Sequence, residues 1–172
     1  YHNLNHALDV AECTQKLGKL SFLSEEELNL LEIGAYYHDI GFFKKYIGHE
    51  DVSIWIIKRH LPDFGFNKSH ISIISDMIEA TKMPQKTKTK LEKILCDADL
   101  DNFGRDDFFS TFEKIFQEKM NCGYDISKHD FYKQTLEILL THQYHTKIQQ
   151  DLRNEKKFQN QKELEHIISE KI

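Results

Sequence analysis

The sequence Tyr36-Tyr37-His38-Asp39-Ile40-Gly41 places an imidazole and a carboxylate side by side where a predicted helix ends. An apolar run precedes the pair, and the glycine that follows it can end the helix. Successive residues of a helix point about 100° apart, so a His-Asp pair inside a helix would not converge on one target. At a helix end both side chains can reach a single ion, provided that other ligands arrive from other helices. The pair therefore predicts one part of a metal site.

The composition indicates a globular chain, and its length is typical of one domain. The 172 residues are 40% hydrophobic and 30% charged, and the formal net charge is −5. Binding to a nucleic-acid backbone relies on a basic patch, which a chain of this acidity does not favour. No apolar run reaches the roughly 18 residues that are needed to span a membrane. Three widely separated cysteines, Cys13, Cys96 and Cys122, fit neither a disulfide framework nor a zinc knuckle. We therefore expect a cytoplasmic protein.

Apolar periodicity and helix caps predict an all-α fold of about six to seven helices. The predicted helices cover residues 3–20, Ser24 to Asp39, His49 to Leu61, Asn67 or Ser69 to Thr81, Lys90 to Asn102, Arg105 to Met120, and Lys128 to about Tyr144. Ser24 and Glu27 have the spacing of a capping box at the start of the second helix. Residues 146–172 carry only a thin apolar stripe, so they either prolong the seventh helix or pack on a neighbour. We expect a main domain over residues 1–145 and a C-terminal helical extension over 146–172.

Two further segments carry side chains that could complete a metal site. His2 and His6 stand four residues apart, so on a helix they project from one face. Asp97 and Asp99 follow an apolar stretch, and carboxylates at the edge of a core are costly unless they are paired or bound to a cation. Each of these residues alone is more often a cap or a polar surface group. Their combination with the His-Asp pair, on separate helices, favours a shared metal.

These segments together resemble the HD-domain superfamily of metal-dependent phosphohydrolases, which is named for a His-Asp doublet within an H…HD…D ligand pattern. The matching segments are Tyr1-His2-Asn3-Leu4-Asn5-His6-Ala7, Tyr37-His38-Asp39-Ile40-Gly41, Gly48-His49-Glu50-Asp51-Val52-Ser53 and Asp97-Ala98-Asp99-Leu100-Asp101. The resemblance extends from residue 1 to about residue 115 and implies an HD-domain helical bundle.

The resemblance also implies which residues hold a metal. Four side chains would bind one divalent ion: His6, His38, Asp39 and Asp99, with Asp97 as the alternative to the last. Two imidazoles and two carboxylates suit Mn²⁺, Fe²⁺, Co²⁺, Ni²⁺ or Mg²⁺ better than structural zinc. The opening segment is also similar to that of cyclic-nucleotide phosphodiesterases, and by that likeness His2 would be the general acid.

Two pairs of residues are secondary candidates. His49 and Glu50 open a predicted helix and could handle water, substrate oxygen or protons, although both could simply favour the helix start. In two-metal relatives a further histidine is needed where this chain reads Glu79-Ala80-Thr81, so we expect a single ion. Lys82 and Arg105 are candidate substrate-binding cations, because arginine in particular suits bidentate contact with phosphate. A solvated lysine loop and pairing of the arginine with a nearby carboxylate are the alternatives.

The sequence thus predicts a metal-dependent phosphohydrolase, either a phosphomonoesterase or a phosphodiesterase, that acts on a nucleotide or a similar small phosphate ester. Two other functions stay open: a non-catalytic HD-like module that senses a ligand or binds a partner, and a di-iron oxygenase of the same fold. We expect neither a nucleic-acid polymer nor a membrane as partner. A homodimer formed through the C-terminal helix is a further prediction.

Overall fold

A computed structural model describes residues 1–170, and every regular element in that range is helical. The predicted all-α architecture is therefore confirmed. The chain forms two compact units, which we call the N-terminal unit (residues 2–100) and the C-terminal unit (Tyr1 together with the residues from Asp101 onward). The predicted division into residues 1–145 and 146–172 stays a prediction.

The N-terminal unit contains five α-helices, and each begins where a polar side chain or a glycine ends the preceding segment. They are α1 (Leu4–Leu20), α2 (Glu25–Tyr37), α3 (His49–His60), α4 (Lys68–Thr81) and α5 (Lys90–Asp99), with 3-10 turns at Ile40–Phe43 and Leu61–Phe64. The predicted capping box of Ser24 and Glu27 is present, and Thr89 forms a second one with Glu92. These caps satisfy backbone N–H groups that a helix leaves without partners.

The core of the N-terminal unit is built from the apolar faces of these helices. Its fully buried side chains include Leu17, Leu31, Ile57, Ile74, Met77, Ile78, Ile94 and Leu95. Each such side chain contributes about 1.5–3 kcal/mol through removal of apolar surface from water. The core fixes the ends of α2 and α5, from which the site described below projects.

The C-terminal unit contains a 3-10 turn at Asp101–Gly104 and three helices, α6 (Phe108–Asn121), α7 (Lys128–Thr141) and α8 (Lys147–Ser169). The predictions that one helix continues to Asn102 and that the next begins at Arg105 are wrong. The Asp101 carboxylate accepts hydrogen bonds from Arg153 at 2.6 and 2.9 Å. A Cβ atom on Gly104 would lie only 2.5 Å from the Arg153 carbonyl oxygen, so α8 holds the turn tightly. Local periodicity carries no sign of such a distant contact.

Helix α8 is a separate element rather than a continuation of α7, so the first of the two predicted alternatives is wrong. His142 is extended and ends α7, and the Thr146 side chain accepts a hydrogen bond from the Gln149 backbone N–H to begin α8. The Asn160 amide donates to the backbone carbonyls of Phe103 and Arg105, at 3.0 and 2.9 Å. Helix α8 therefore packs within the C-terminal unit, as the second alternative supposed.

Aromatic side chains form the core of the C-terminal unit. Phe103, Phe108 and Phe112 are buried, and the ring centroids of the last two lie 4.4 Å apart. Lys157 is also buried on α8, where its ammonium group donates to the His142 carbonyl. Among the helices of residues 1–170, none is both long enough and apolar enough to cross a membrane.

Candidate metal centre

Four predicted metal ligands converge in the N-terminal unit, although they come from different elements. His6 lies on α1, His38 caps the C-terminus of α2, Asp39 follows it, and Asp99 ends α5. One ligand atom from each of the four lies within 4.8 Å of the others. We call this group the four-residue cluster. Asp97 is fully buried elsewhere on α5 and is not a member of the cluster.

The His-Asp doublet converges because the backbone changes direction between its two residues. His38 still has helical φ and ψ of −57° and −40°, and its backbone N–H donates to the Gly34 carbonyl. Asp39 has φ of −105° and ψ of 1°, and the 3-10 turn begins after it. As a result His38 Nε2 and Asp39 Oδ2 lie 3.1 Å apart. The prediction that the doublet reaches one point from a helix end agrees with this geometry.

The hydrogen bonding of His38 shows that the cluster fits a cation. His38 Nδ1 lies 2.7 Å from the Ala35 carbonyl oxygen, which can only accept, so Nδ1 carries the hydrogen. Nε2 then faces carboxylate oxygens of Asp39 and Asp99 at 3.1 and 3.3 Å. Within residues 1–170, His38 Nε2 and Asp39 Oδ2 are buried without a hydrogen bond of good geometry. Lone pairs that face one another in a buried place are stable only with a proton or a metal ion between them.

The distances between these atoms also fit an ion. His6 Nε2 lies 3.3 Å from oxygens of both Asp39 and Asp99, which repeats the spacing around His38. Two ligands that bind one ion at about 2.0–2.2 Å and at right angles are roughly 3 Å apart. The mixed set of two imidazoles and two carboxylates suits a divalent transition ion or Mg²⁺.

The opposite charges of the imidazoles and the carboxylates shift the pKa values of all four residues. Burial lowers the pKa of His38, but the Asp39 and Asp99 carboxylates outweigh it and hold that pKa well above its ordinary value. The pKa of His6 is raised in the same way, against the effect of its burial. Burial raises the pKa values of both aspartates, yet the imidazoles outweigh it and hold them well below the ordinary range. Protons and a metal ion would therefore compete for this cluster.

The family model of the HD domain matches residues 3–101, which is more than half of the chain and includes the four-residue cluster. The chain belongs to the HD-domain family. Among curated proteins none matches it. Among solved structures, it is similar to the crystal structure of a predicted HD superfamily hydrolase from an uncultured Thermotogales bacterium, with a TM-score of 0.55 and 20% sequence identity. That likeness covers 81% of this chain and 78% of the other, and at this identity it shows the fold alone.

In this HD domain His49 lies against the outer oxygen of the doublet carboxylate. His49 is the first residue of α3, and its Nε2 lies 3.1 Å from Asp39 Oδ1 and 3.6 Å from Glu50 Oε1. Its Nδ1 lies 3.0 Å from the Tyr46 carbonyl oxygen, so Nδ1 carries a hydrogen here as well. Burial lowers the pKa of His49, but Asp39 outweighs it and raises the pKa above its ordinary value. His49 therefore borders the four-residue cluster, and Glu50 lies beside His49.

Gly41 brings the start of α3 against the doublet. Its backbone N–H donates to the hydroxyl oxygen of Ser53, a fully buried residue of α3, at 2.9 Å. A Cβ atom on Gly41 would lie 2.8 Å from the His49 carbonyl carbon and 2.9 Å from Val52 Cβ. The sequence assigned this glycine only to the end of a helix, and it gave no sign of the contact with Ser53.

The predicted general acid also lies beside the cluster. The ring centroid of His2 is 5.8 Å from that of His6, and the His2 ring stacks on Phe42 at 3.9 Å. Sequence reasoning missed Phe42 as part of the site. The aromatic content of the segment from Gly41 to Gly48 indicates packing, but it identifies no particular partner.

The two candidate substrate-binding cations are both paired with carboxylates. Lys82 Nζ lies 2.7 Å from Asp51 and 2.6 Å from Glu79. In the C-terminal unit Arg105 makes a bidentate contact with Asp107, at 3.0 and 2.9 Å. The alternative in which the arginine pairs with a carboxylate agrees with this contact. Binding of substrate by either residue stays a prediction.

Proposed function

We propose that this HD domain is a phosphohydrolase that uses one divalent ion to hydrolyse a small phosphate ester, such as a nucleotide. The observation that supports the proposal most directly is the buried convergence of two imidazoles and two carboxylates in a chain of the HD-domain family. His6, His38, Asp39 and Asp99 would hold the ion. When bound, a divalent ion of this kind lowers the pKa of water and polarises a phosphoryl oxygen.

The residues around the cluster have separate tasks in this proposal. His2 donates a proton to the leaving oxygen, a role that requires an imidazole near the reacting ester. His49 holds a proton on Nε2 against Asp39 Oδ1 and so fixes the orientation of that carboxylate. Glu50, whose carboxylate is within 3.6 Å of the same nitrogen, accepts protons from water at the edge of the site.

The donor set supports one ion per chain rather than two. The end of α4, where two-metal relatives require a further histidine, carries Glu79, Ala80 and Thr81. The Thr81 hydroxyl donates to the Ile78 carbonyl at 2.8 Å, and Glu79 pairs with Lys82. The proposed cofactor is therefore a single Mn²⁺, Fe²⁺, Co²⁺, Ni²⁺ or Mg²⁺ ion.

The metal content of the purified protein is the first test. We expect about one divalent ion per chain by elemental analysis, and at least a roughly 10–100-fold loss of Mn²⁺ affinity in Asp99→Asn. Asp97→Asn is the matched control, because it makes the same change on the same helix outside the cluster. Two irons per chain would support the di-iron oxygenase instead. Equal loss of affinity in both variants would contradict the assignment of Asp99.

The second test is hydrolysis of a panel of nucleoside mono-, di-, tri- and cyclic phosphates with Mn²⁺ or Mg²⁺. Wild-type protein should release phosphate or cleave the diester, and His38→Ala should abolish turnover. His60→Ala, which removes an exposed imidazole at the end of α3, serves as the control. Turnover that survives in His38→Ala would refute the proposal. An ion bound without any turnover would instead support a non-catalytic HD-like module.

A further inference from the structure

Three rings form a continuous stack beside the four-residue cluster. The rings of His2 and Phe42 are nearly parallel, with centroids 3.9 Å apart and an angle of 8° between their planes. The rings of Phe42 and His49 lie 3.8 Å apart at 29°. We call these three residues the ring stack.

The two histidines occupy opposite faces of the Phe42 ring. Their own centroids are 6.4 Å apart, although each is within 3.9 Å of the phenyl ring. Two rings stacked side by side on one face of a phenyl group could not be so far apart and both remain in face contact. Phe42 therefore separates the two imidazoles and contacts both of them.

Each end of the ring stack touches the cluster. The His2 ring lies edge-on to His6, with centroids 5.8 Å apart, and His49 Nε2 lies 3.1 Å from Asp39. A fourth ring braces the stack from the side, because Tyr46 meets Phe42 edge-on at 5.2 Å and 87°. The backbone carbonyl of Tyr46 also accepts the hydrogen of His49 Nδ1. Rotation of the phenyl ring would therefore disturb imidazoles that border two of the proposed metal ligands.

We propose that Phe42 is a positioning residue, which sets the ring planes of His2 and His49 beside the cluster. The inference rests on the proposed function, in which these histidines hold and donate protons. A flat aromatic ring can do this on both of its faces, because parallel rings in contact resist rotation, whereas a branched aliphatic side chain offers no planar surface.

The chain supplies its own control for this inference. Phe43 follows directly in the same 3-10 turn, but its side chain is 76% exposed and no ring contact involves it among residues 1–170. Phe43→Leu and Phe42→Leu thus make the same chemical change at adjacent positions, and only the second removes the ring stack. Phe42→Tyr restores an aromatic ring at the position.

The experiment combines nuclear magnetic resonance of histidine-labelled protein with kinetics on phenyl phosphate, whose poor leaving group needs a general acid, in the presence of Mn²⁺. In Phe42→Leu we expect the ring protons of His2 and His49 to lose their upfield ring-current shifts. We also expect kcat to fall about 10–100-fold while KM changes less than about threefold. Phe43→Leu should match the wild type, and Phe42→Tyr should recover the shifts and most of kcat. Thermal unfolding of each variant identifies any that fails to fold.

The two readouts separate the failure of this inference from the failure of the proposed function. Unchanged histidine shifts in folded Phe42→Leu would overturn the inference, whatever the kinetics. Lost shifts with an unchanged kcat would also overturn it and leave the phosphohydrolase standing. A wild-type protein that hydrolyses no phosphate ester would refute the proposed function, and the shifts would still decide whether Phe42 orients the two rings.

Discussion

Replacement of Gly41 by alanine should disturb both stability and the candidate site, because no space exists for a methyl group there. The added Cβ atom would lie 2.8 Å from the His49 carbonyl carbon and 2.9 Å from Val52 Cβ. Both distances are below the 3.0 Å that real Cβ contacts essentially never cross, and one partner is backbone. The first turn of α3 must therefore move away from the doublet, by on the order of 1 Å.

The expected loss of stability has two sources. Overpacking of a buried contact costs about 1–3 kcal/mol. Weakening of the hydrogen bond from the Gly41 N–H to the buried Ser53 hydroxyl adds about 1 kcal/mol. We therefore expect the free energy of unfolding to fall by about 2–4 kcal/mol. Because His49 moves with α3, a displacement near 1 Å should also lower kcat, by as much as about 100-fold.

Urea unfolding and the phosphatase assay measure these effects separately. Gly34→Ala is the matched control, because the nearest atom to its added Cβ is the flexible end of Met77 at 3.1 Å, and alanine favours the interior of α2. Its stability should change by less than about 1 kcal/mol. A Gly41→Ala protein as stable and as active as the Gly34→Ala protein would refute the argument that α3 is positioned through this glycine.

Three further predictions concern protons and ion pairs. Binding of Mn²⁺ at pH 7 should release about one proton or more per ion, because the raised pKa values of His6 and His38 favour protonation until a metal binds. Calorimetric titration in buffers of different ionisation enthalpy measures this release. A binding enthalpy that is the same in every buffer would contradict the prediction. Arg153→Met should lower the free energy of unfolding by about 2 kcal/mol, because it removes the bidentate partner of the buried Asp101 carboxylate. An unchanged midpoint of urea unfolding would argue against that contact. Burial lowers the pKa of Lys157 from 10.5 to about 8, so between these two pH values the unfolded chain binds a proton that the folded chain does not. The free energy of unfolding of the wild type should therefore rise over this pH range, by up to about 3 kcal/mol relative to Lys157→Met. Parallel pH profiles of stability for the two proteins would refute this.

The cluster residues were predictable because their chemistry and spacing match a family pattern, but the choice between Asp97 and Asp99 was not. Two residues apart on a helix, their side chains point about 200° apart, so only one of them can face a given target. The sequence does not state which face of α5 is turned toward the doublet. The packing of α5 decides this, and it brings Asp99 into the cluster.

Features that depend on distant segments could not be read from the sequence. Phe42 lies between His2 and His49, and stacking between separate segments leaves no periodic signature in a chain. The end of α5 and the start of α6 were misjudged for the same reason, since Arg153 on α8 holds the turn between them. The start of α2 was predicted better, because the cap of Ser24 and Glu27 is complete within four residues.

The hydrogen bonds of Asn160 have a consequence for biosynthesis. Its amide reaches the Arg105 carbonyl across 55 residues of chain, and it also serves the carbonyl of Phe103. At a translation rate of about 5–20 residues per second, roughly 3–11 s pass between synthesis of the turn and synthesis of this asparagine. During that interval these two carbonyls lack the Asn160 amide as a hydrogen-bond donor. A premature stop codon ahead of Asn160 would give a product that never gains this donor, and we expect proteases to cleave that product more readily.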